Sequence, residues 1–240
     1  MSIPVGIFLE IPCADVVEMA SLAGWDFVVI DTEHGPIGSA QLPDLLRAAR
    51  VPTVVRVAAV QNELIQSALD AGADGVLVPQ IQSAAEAAGV VAASRFHPAG
   101  RRGLNGFVRA ARYSLLPMEE YLQRPVRVVI QIETAGALAE VDAIAGLAGL
   151  DELFIGPYDL SQALGRPGEV MHAEVLAAGQ RVIHAAHGAG IAVSAFANSG
   201  EAADRWREMG IDRLYYSADV YLLAQALRAT REQIRSLDAR

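Results

Sequence analysis

A few short stretches of the chain carry side chains whose types and spacing suit chemistry on a small anionic molecule. Gln131 and Glu133 are two residues apart at the end of an apolar run, so both project from one face of a strand while Ile132 projects from the other. Asp159 follows the next apolar run, after Gly156-Pro157-Tyr158. Two carboxylates on neighbouring strand ends, with few histidines nearby, make a hard oxygen site. Such a site suits Mg²⁺ or Mn²⁺, with positions left for water and substrate. The structural alternative is that Glu133 and Asp159 cap helices or pair with Arg56. His34 sits in the turn Asp31-Thr32-Glu33-His34-Gly35-Pro36 and has the side chain of a general base near neutral pH; the plainer reading is a hydrogen-bonded turn histidine. Arg56 interrupts a Val-rich run, where an inward guanidinium needs an anion from the protein or from a substrate. The remaining candidates read as structure. His184 and His187 have metal-compatible spacing on a helix but fit a solvated face, His172 lies in a loop, and Cys13 has no obvious base beside it.

Composition narrows the chemistry further. All 19 basic residues are arginine. With no lysine, Schiff-base chemistry, covalent PLP attachment and a Walker A phosphate loop are excluded, so any carbon–carbon chemistry needs a metal or another electron sink. One cysteine excludes an intramolecular disulfide and a cysteine zinc site. A net charge of −9 disfavours nucleic acid as a partner. No apolar run approaches the roughly 18 residues that span a bilayer. The N-terminus enters a strand-like run with no basic leader, so a cytoplasmic protein with no membrane partner is expected.

The elements that must position these residues recur at even spacing. Strand-like apolar runs fall at Val5–Leu9, Phe27–Ile30, Thr53–Val57, Gly75–Val78, Arg127–Ile132, Leu153–Ile155, Ile191–Phe196 and Arg213–Tyr216. Most do not alternate with polar residues, which marks strands buried on both faces of a parallel sheet. Helical stretches between them include Ala14–Ala23, Ser39–Ala49, Asn62–Ala71, Ser83–Ser94, Ala173–Ala189, Gly200–Met209 and Tyr221–Leu237, several ending at a glycine. This rhythm predicts a (β/α)8 TIM barrel forming one domain over residues 1–240. An open doubly wound sheet is the runner-up, but Glu10-Ile11-Pro12-Cys13 stands where its glycine-rich loop belongs. In a barrel, the strand ends would gather Glu10, the Asp31–Pro36 turn, Arg56, Gln80, Glu133, Asp159, Asn198 and Asp219 into an acidic mouth with one arginine and one histidine. The irregular stretch His97–Tyr113 reads as a lid or a subunit contact.

Taken in order, these motifs resemble the HpcH/HpaI aldolase family. The match runs through Asp31-Thr32-Glu33-His34-Gly35-Pro36, Val54-Val55-Arg56-Val57, Leu69-Asp70-Ala71-Gly72-Ala73 and Val76-Leu77-Val78-Pro79. It continues through Pro98-Ala99-Gly100-Arg101-Arg102-Gly103, Val129-Ile130-Gln131-Ile132-Glu133-Thr134 and Phe154-Ile155-Gly156-Pro157-Tyr158-Asp159-Leu160-Ser161, nearly the whole chain. The resemblance implies a class II pyruvate aldolase using a divalent metal (Mg²⁺, Mn²⁺ or Co²⁺). Its substrates would be 4-hydroxy-2-oxo acids, including 2-keto-3-deoxy sugar acids, cleaved to pyruvate and an aldehyde. It also implies that Glu133 and Asp159 bind the metal, that Gln131 supports the keto acid and that Arg56 lies at its oxygens. His34 would be the base and Asp70 its acidic partner. Asp70 ends a helix on the far side of the barrel, so that last role needs a neighbouring subunit. The family commonly forms hexamers, trimers of dimers, with the last helix exchanged, and Tyr221–Leu237 has the length and apolarity for it. Tyr158 stands where relatives often carry a small residue and Phe8 where they often carry tryptophan, and both bear on which aldehyde is accepted. The competing readings are an acyl-CoA ester lyase of the same superfamily, with Arg95, Arg101 and Arg102 as the only candidate anion cluster, and a non-catalytic keto-acid-binding barrel.

Overall fold

The structure, a computed structural model, describes residues 2–238; the outermost residues of the expected 1–240 span, Met1 and residues 239–240, lie outside it. Eight parallel strands close into a barrel in sequence order: β1 (Val5–Leu9), β2 (Phe27–Asp31), β3 (Thr53–Arg56), β4 (Gly75–Val78), β5 (Arg127–Ile132), β6 (Glu152–Ile155), β7 (Ala192–Ala197) and β8 (Arg213–Ala218). The helices are α1 (Ala14–Leu22), α2 (Leu42–Ala48), α3 (Asn62–Asp70), α4 (Ala84–Ser94), α5 (Met118–Leu122), α6 (Ala135–Ala139), α7 (Val141–Ala145), α8 (Pro157–Ala163), α9 (Ala173–Ala189), α10 (Gly200–Met209) and α11 (Asp219–Asp238). The expected TIM barrel is what the chain forms, and the doubly wound alternative is set aside by the β1–β8 pairing.

Strand alternation divides the core in two. Ile7, Val28, Ile30, Val55, Val76, Ile130, Ile155 and Val193 face outward into the large apolar layer under the helices. Phe8, Phe27, Val29, Val54, Leu77, Val129, Phe154 and Tyr215 face inward and fill the barrel centre. The aromatic rings there meet edge to face, as between Phe154 and Tyr215 with centroids 4.7 Å apart. This apolar plug separates a polar layer at each end of the barrel. Between β5 and β6 the helical layer is broken into the two five-residue helices α6 and α7, which the sequence reading did not place. Thr134 caps α6 by accepting from the Ala137 N–H at 3.0 Å.

The segment after α4 runs under the N-terminal end of the barrel. Arg109 donates to the Ala71 carbonyl at 2.9 Å, beside the C-terminal end of α3, so the stretch cannot be a lid over this chain's own mouth. Its exposed Phe107 and Leu115 leave the subunit-contact expectation in place.

The polar layer at the N-terminal end is satisfied internally. Glu152 is fully buried and accepts from Ser194 Oγ at 2.5 Å and from Tyr215 Oη at 3.1 Å, while Arg127 pairs with it at 2.8 Å. Truncating it would orphan two buried hydroxyls and leave Arg127 without its counter-ion. Glu152→Ala is therefore expected to destabilise the fold by about 3 kcal/mol. Thermal melting should show this as a fall of about 6–12 °C.

Candidate active site

The opposite end of the barrel is organised by one carboxylate. Asp31, the last residue of β2, is completely buried and lies in register with Arg56 at the end of β3. Arg56 donates Nε to Asp31 Oδ1 at 2.9 Å and Nη2 to Oδ2 at 2.5 Å, a two-pronged buried ion pair. Asp31 Oδ1 also accepts from the Glu33 N–H at 3.0 Å and the His34 N–H at 3.4 Å. The same side chain thus holds the arginine and shapes the turn that carries Glu33 and His34. Gly35 closes that turn, where a Cβ would come within 2.4 Å of the Asp31 carbonyl oxygen. Arg56 Nη1 reaches Glu33 Oε2 at 3.2 Å, and its guanidinium lies 4.7 Å from the Phe8 ring centroid.

Gln131 and Glu133 both point inward, as their spacing predicts, and the Gln131 amide N–H donates to Glu133 Oε2. The other Glu133 oxygen accepts from the backbone N–H of Gln80 at 2.7 Å. Gln80 adopts φ +59°, a left-handed conformation uncommon for a non-glycine residue, and in it the N–H is aimed at Glu133. Gly156 leaves room for the pair, because a Cβ there would lie 2.8 Å from Gln131 Nε2 and 2.9 Å from Glu133 Oε2. Asp159 lies in the first turn of α8. The caps of α6 and α8 are Thr134 and Gly156, and Arg56 pairs elsewhere. Neither the helix-cap nor the Arg56-pairing alternative therefore describes Glu133 and Asp159.

Arg56, Gln131, Gly156 and Asp159 of these groups line a cavity of about 320 Å³, with Glu133 hydrogen-bonded to Gln131 in its wall. Glu10, His34, Arg56, Gln131, Tyr158 and Asp159 are on its polar walls. Phe8, Phe154, Phe196, Ala218 and Tyr221 make the apolar ones. His34 is exposed at the rim. Burial pushes the Glu133 carboxyl up to about 7, and the nearby Asp159 and Glu33 carboxylates add to this, opposed by the Gln80 and Gln131 hydrogen bonds. Glu33 and Glu10 are raised as well, first by burial; among the opposing charges Arg56 comes first for both. Carboxylates outnumber cations here, which leaves an uncompensated negative field.

That field fits a hard divalent cation. Gln131 Oε1 is a buried oxygen without a hydrogen-bond partner, on the side chain that donates to Glu133. Among the described residues no three His, Cys, Asp or Glu side chains converge as a complete metal cage. A site of two carboxylates with open positions is the arrangement expected of Mg²⁺, which keeps water and substrate oxygens.

Other expectations are redistributed. Asp70 is outside the cavity, paired with the buried Arg102 at 2.7 Å. Arg95 is spent on Asp151 and on the Gly149 and Val126 carbonyls, so Arg95 and Arg102 do not form an anion cluster with Arg101. Asp219 does not serve the mouth as a free carboxylate. It accepts from the Glu10 and Ile11 N–H groups at 2.9 and 3.1 Å, fastening the start of α11 to the end of β1. His187 pairs with Asp212 at 3.2 Å on the outer surface, and His184 is exposed, consistent with a solvated helix face. Asn198 lines the cavity, as expected of a residue at the end of the seventh strand, and Ser217, which also lines it, was not singled out by sequence reasoning.

The fold and the site define a (β/α)8 barrel with an acidic, arginine-containing pocket at its strand ends. Residues 5–226 match the family described as HpcH/HpaI aldolase/citrate lyase, and the chain belongs to that family. It is 37% identical over 243 aligned residues to a hydroxypyruvate/pyruvate aldolase of Paraburkholderia phytofirmans, covering 96% of this chain and 93% of that one. A solved HpcH/HpaI aldolase/citrate lyase family protein from Burkholderia cenocepacia superposes with a TM-score of 0.91 at 37% identity, over 98% of this chain and 95% of the other. The solved citrate synthase SbnG superposes at 0.89 with 30% identity, over 100% and 96%.

The perturbed Glu133 gives a stability signature for metal-free protein. Its folded-state value lies above the unfolded 4.5, so the folded chain binds more protons between pH 4.5 and about 7. Stability from this group is complete below 4.5 and is lost as pH rises through about 7. For chelated protein the loss is about 3 kcal/mol. Glu133→Gln is expected to flatten that slope and to melt above the parent at pH 8 by about 5 °C or more. Melting curves of chelated protein from pH 5 to 8 test this; parallel slopes for parent and variant would refute it.

Proposed function

We propose that this chain is a class II, divalent-metal-dependent pyruvate aldolase that reversibly cleaves 4-hydroxy-2-oxo acids to pyruvate and an aldehyde. The observation that carries the reading is a cavity lined by Asp159, Gln131 and the single guanidinium of Arg56, with the buried, desolvated carboxylate of Glu133 hydrogen-bonded to Gln131 in its wall. The aldolase named among the relatives, at 37% identity over nearly the full length, supports it.

A divalent cation held by Glu133 and Asp159 would supply Lewis-acid polarisation of the keto acid. Everything else falls to the chain. Gln131 lies beside Glu133 and presents its free amide oxygen to the site. Arg56, held rigid by Asp31, keeps its charge in a water-poor cavity and donates to the keto-acid oxygens as negative charge develops there. His34, exposed at the rim, accepts the proton of the 4-hydroxyl, directly or through one water, as the C3–C4 bond breaks. The electron pair of that bond passes to the keto group, giving the enolate of pyruvate, and the proton held by His34 is then available to C3. The apolar wall of Phe8, Phe154 and Phe196 excludes water from the enolate. Asp70 lies outside its own chain's cavity, so a role for it as the partner of His34 requires a second subunit, as in a hexamer.

Pyruvate release from a 4-hydroxy-2-oxo acid tests the reading. Chelated protein should be inactive, and Mg²⁺, Mn²⁺ or Co²⁺ should restore turnover. Glu133→Gln and Asp159→Asn should lose metal binding and activity together. His34→Ala should bind pyruvate but lower kcat by about 10²–10⁴-fold. Arg56→Lys keeps a charge but loses the two-pronged contact, and should lower kcat about 100-fold. Full activity in folded, metal-free protein would refute the proposal.

A further inference from the structure

Ser217 stands out in the wall of the cavity. The pairing of β1 with β8 changes register between Gly6↔Tyr215 and Phe8↔Ala218, which leaves one extra residue in β8. Such a bulge re-aims a side chain, and here the residue affected is Ser217. Its backbone lies at φ +61°, where a side chain costs energy and glycine does not. The residue is 1% exposed, and its hydroxyl is buried without a hydrogen-bond partner. A strained backbone and an unpaired buried hydroxyl at one position both count against stability. Both are explained if the hydroxyl waits for a ligand atom, and Ser217 lines the active cavity.

Its surroundings indicate which atom. β8 is three strands round the ring from β5, which carries Gln131 and leads into Glu133, and three from Arg56 on β3. The keto-acid end of a substrate is held at those groups, so Ser217 faces the other end. On that side the cavity has apolar walls in Phe196 and Ala218, and its further polar groups are Tyr158, Asn198, Tyr221 and the Glu10 carboxylate. Asn198 Nδ2 donates to Tyr158 Oη at 2.7 Å, and the Tyr158 ring stands edge to face with Phe196 at 6.1 Å. The phenol oxygen is thereby occupied as an acceptor, and its own proton remains free to donate. The wall carries one charge on this side, the carboxylate of Glu10 just after the neighbouring β1, which disfavours an anionic group there. It offers a serine hydroxyl and a phenol proton within an aromatic pocket, which suits an uncharged hydroxyl on a short carbon chain.

We propose that Ser217, with the Tyr158–Asn198 pair, forms a subsite that reads a hydroxyl group on the aldehyde-derived half of the substrate. This deepens the aldolase reading and rests on it. The substrate class becomes 4-hydroxy-2-oxo acids whose aldehyde half carries a hydroxyl next to the carbonyl.

The test is condensation of pyruvate with two aldehydes that differ by one hydroxyl, glycolaldehyde and acetaldehyde, with kcat/KM measured for each. The parent protein should favour glycolaldehyde. Ser217→Ala should lower the glycolaldehyde-to-acetaldehyde ratio about tenfold, because a site built to pair a hydroxyl discriminates through the unpaired group left behind. Ser217→Gly should lower the ratio equally and raise the melting temperature, since glycine adopts the backbone angle freely. The two variants together separate loss of the hydroxyl from any folding defect of either. A ratio unchanged in both variants, or a parent protein with no preference, overturns the subsite and leaves the aldolase reading intact. A parent protein inactive on both aldehydes and in pyruvate release overturns the aldolase reading and the subsite with it.

Discussion

The buried ion pair between Asp31 and Arg56 is the constraint from which the open end of the barrel is built. A guanidinium inside a barrel is tolerable only if an anion meets it at close range, and Asp31 does so with both oxygens. The pair is no large source of stability in itself, because removing both charges from water costs about what their attraction returns. Its effect is geometric. The Arg56 fork is fixed, and the spare capacity of Asp31 is spent on the backbone of Glu33 and His34. The turn that carries His34 and the guanidinium of Arg56 are thereby placed by one side chain. Because Asp31 and Glu33 both face Arg56, the cation is more than matched locally, and the second carboxylate pair, Glu133 and Asp159, is left without a counter-ion. In the proposed reaction a divalent cation and an anionic substrate would complete that arrangement. In a chain without lysine, no amine could do so instead.

Several of these features were legible in the sequence because they depend on local periodicity. The two-residue spacing of Gln131 and Glu133 sets their common face whatever the rest of the barrel does. The valine run around Arg56 announces a buried cation. Its partner was not legible, because Asp31 is selected by the register of β2 against β3, and several other carboxylates at the mouth were equally available by type. Asp219 was read as one more acidic group at a strand end. Its use as a clamp on the β1 turn exists only once the last strand has closed against the first. The backbone conformation of Gln80, a residue already placed at the mouth, and the whole contribution of Ser217 were hidden for the same reason. A left-handed angle at a non-glycine residue is imposed by contacts distant in sequence, with nothing in the local residues to signal it.

The two ends of the barrel show opposite relations between polarity and stability. At the N-terminal end Glu152, Ser194, Tyr215 and Arg127 satisfy one another, and the burial of a carboxylate there is compensated within the chain. At the C-terminal end Gln131 Oε1 and Ser217 Oγ are buried without hydrogen-bond partners, and Glu133 is pushed towards protonation. The aromatic plug between the ends keeps the two electrostatic environments apart. The distribution follows from the topology of a parallel barrel, in which the strand C-termini carry the loops that vary and the N-termini carry the connections that close the fold.

A site of this kind cannot be improved as a folded object without being lost as a catalyst. Neutralising Glu133 relieves a desolvated charge, and relaxing Ser217 to glycine relieves a strained angle, yet the first change removes the carboxylate that anchors Gln131 in the cavity wall and the second removes a hydroxyl of that wall. The local costs are tolerated because the surrounding structure over-determines them. Gln80 is held between β4 and the Glu133 carboxylate, and Ser217 between the bulge in β8 and the Asp219 clamp on β1. Of the buried side-chain atoms without a hydrogen-bond partner, Arg102 Nε and Arg124 Nη1 belong to the N-terminal end of the barrel, whereas Gln131 Oε1 and Ser217 Oγ belong to the mouth, on two sides of the cavity that the proposed substrate would fill.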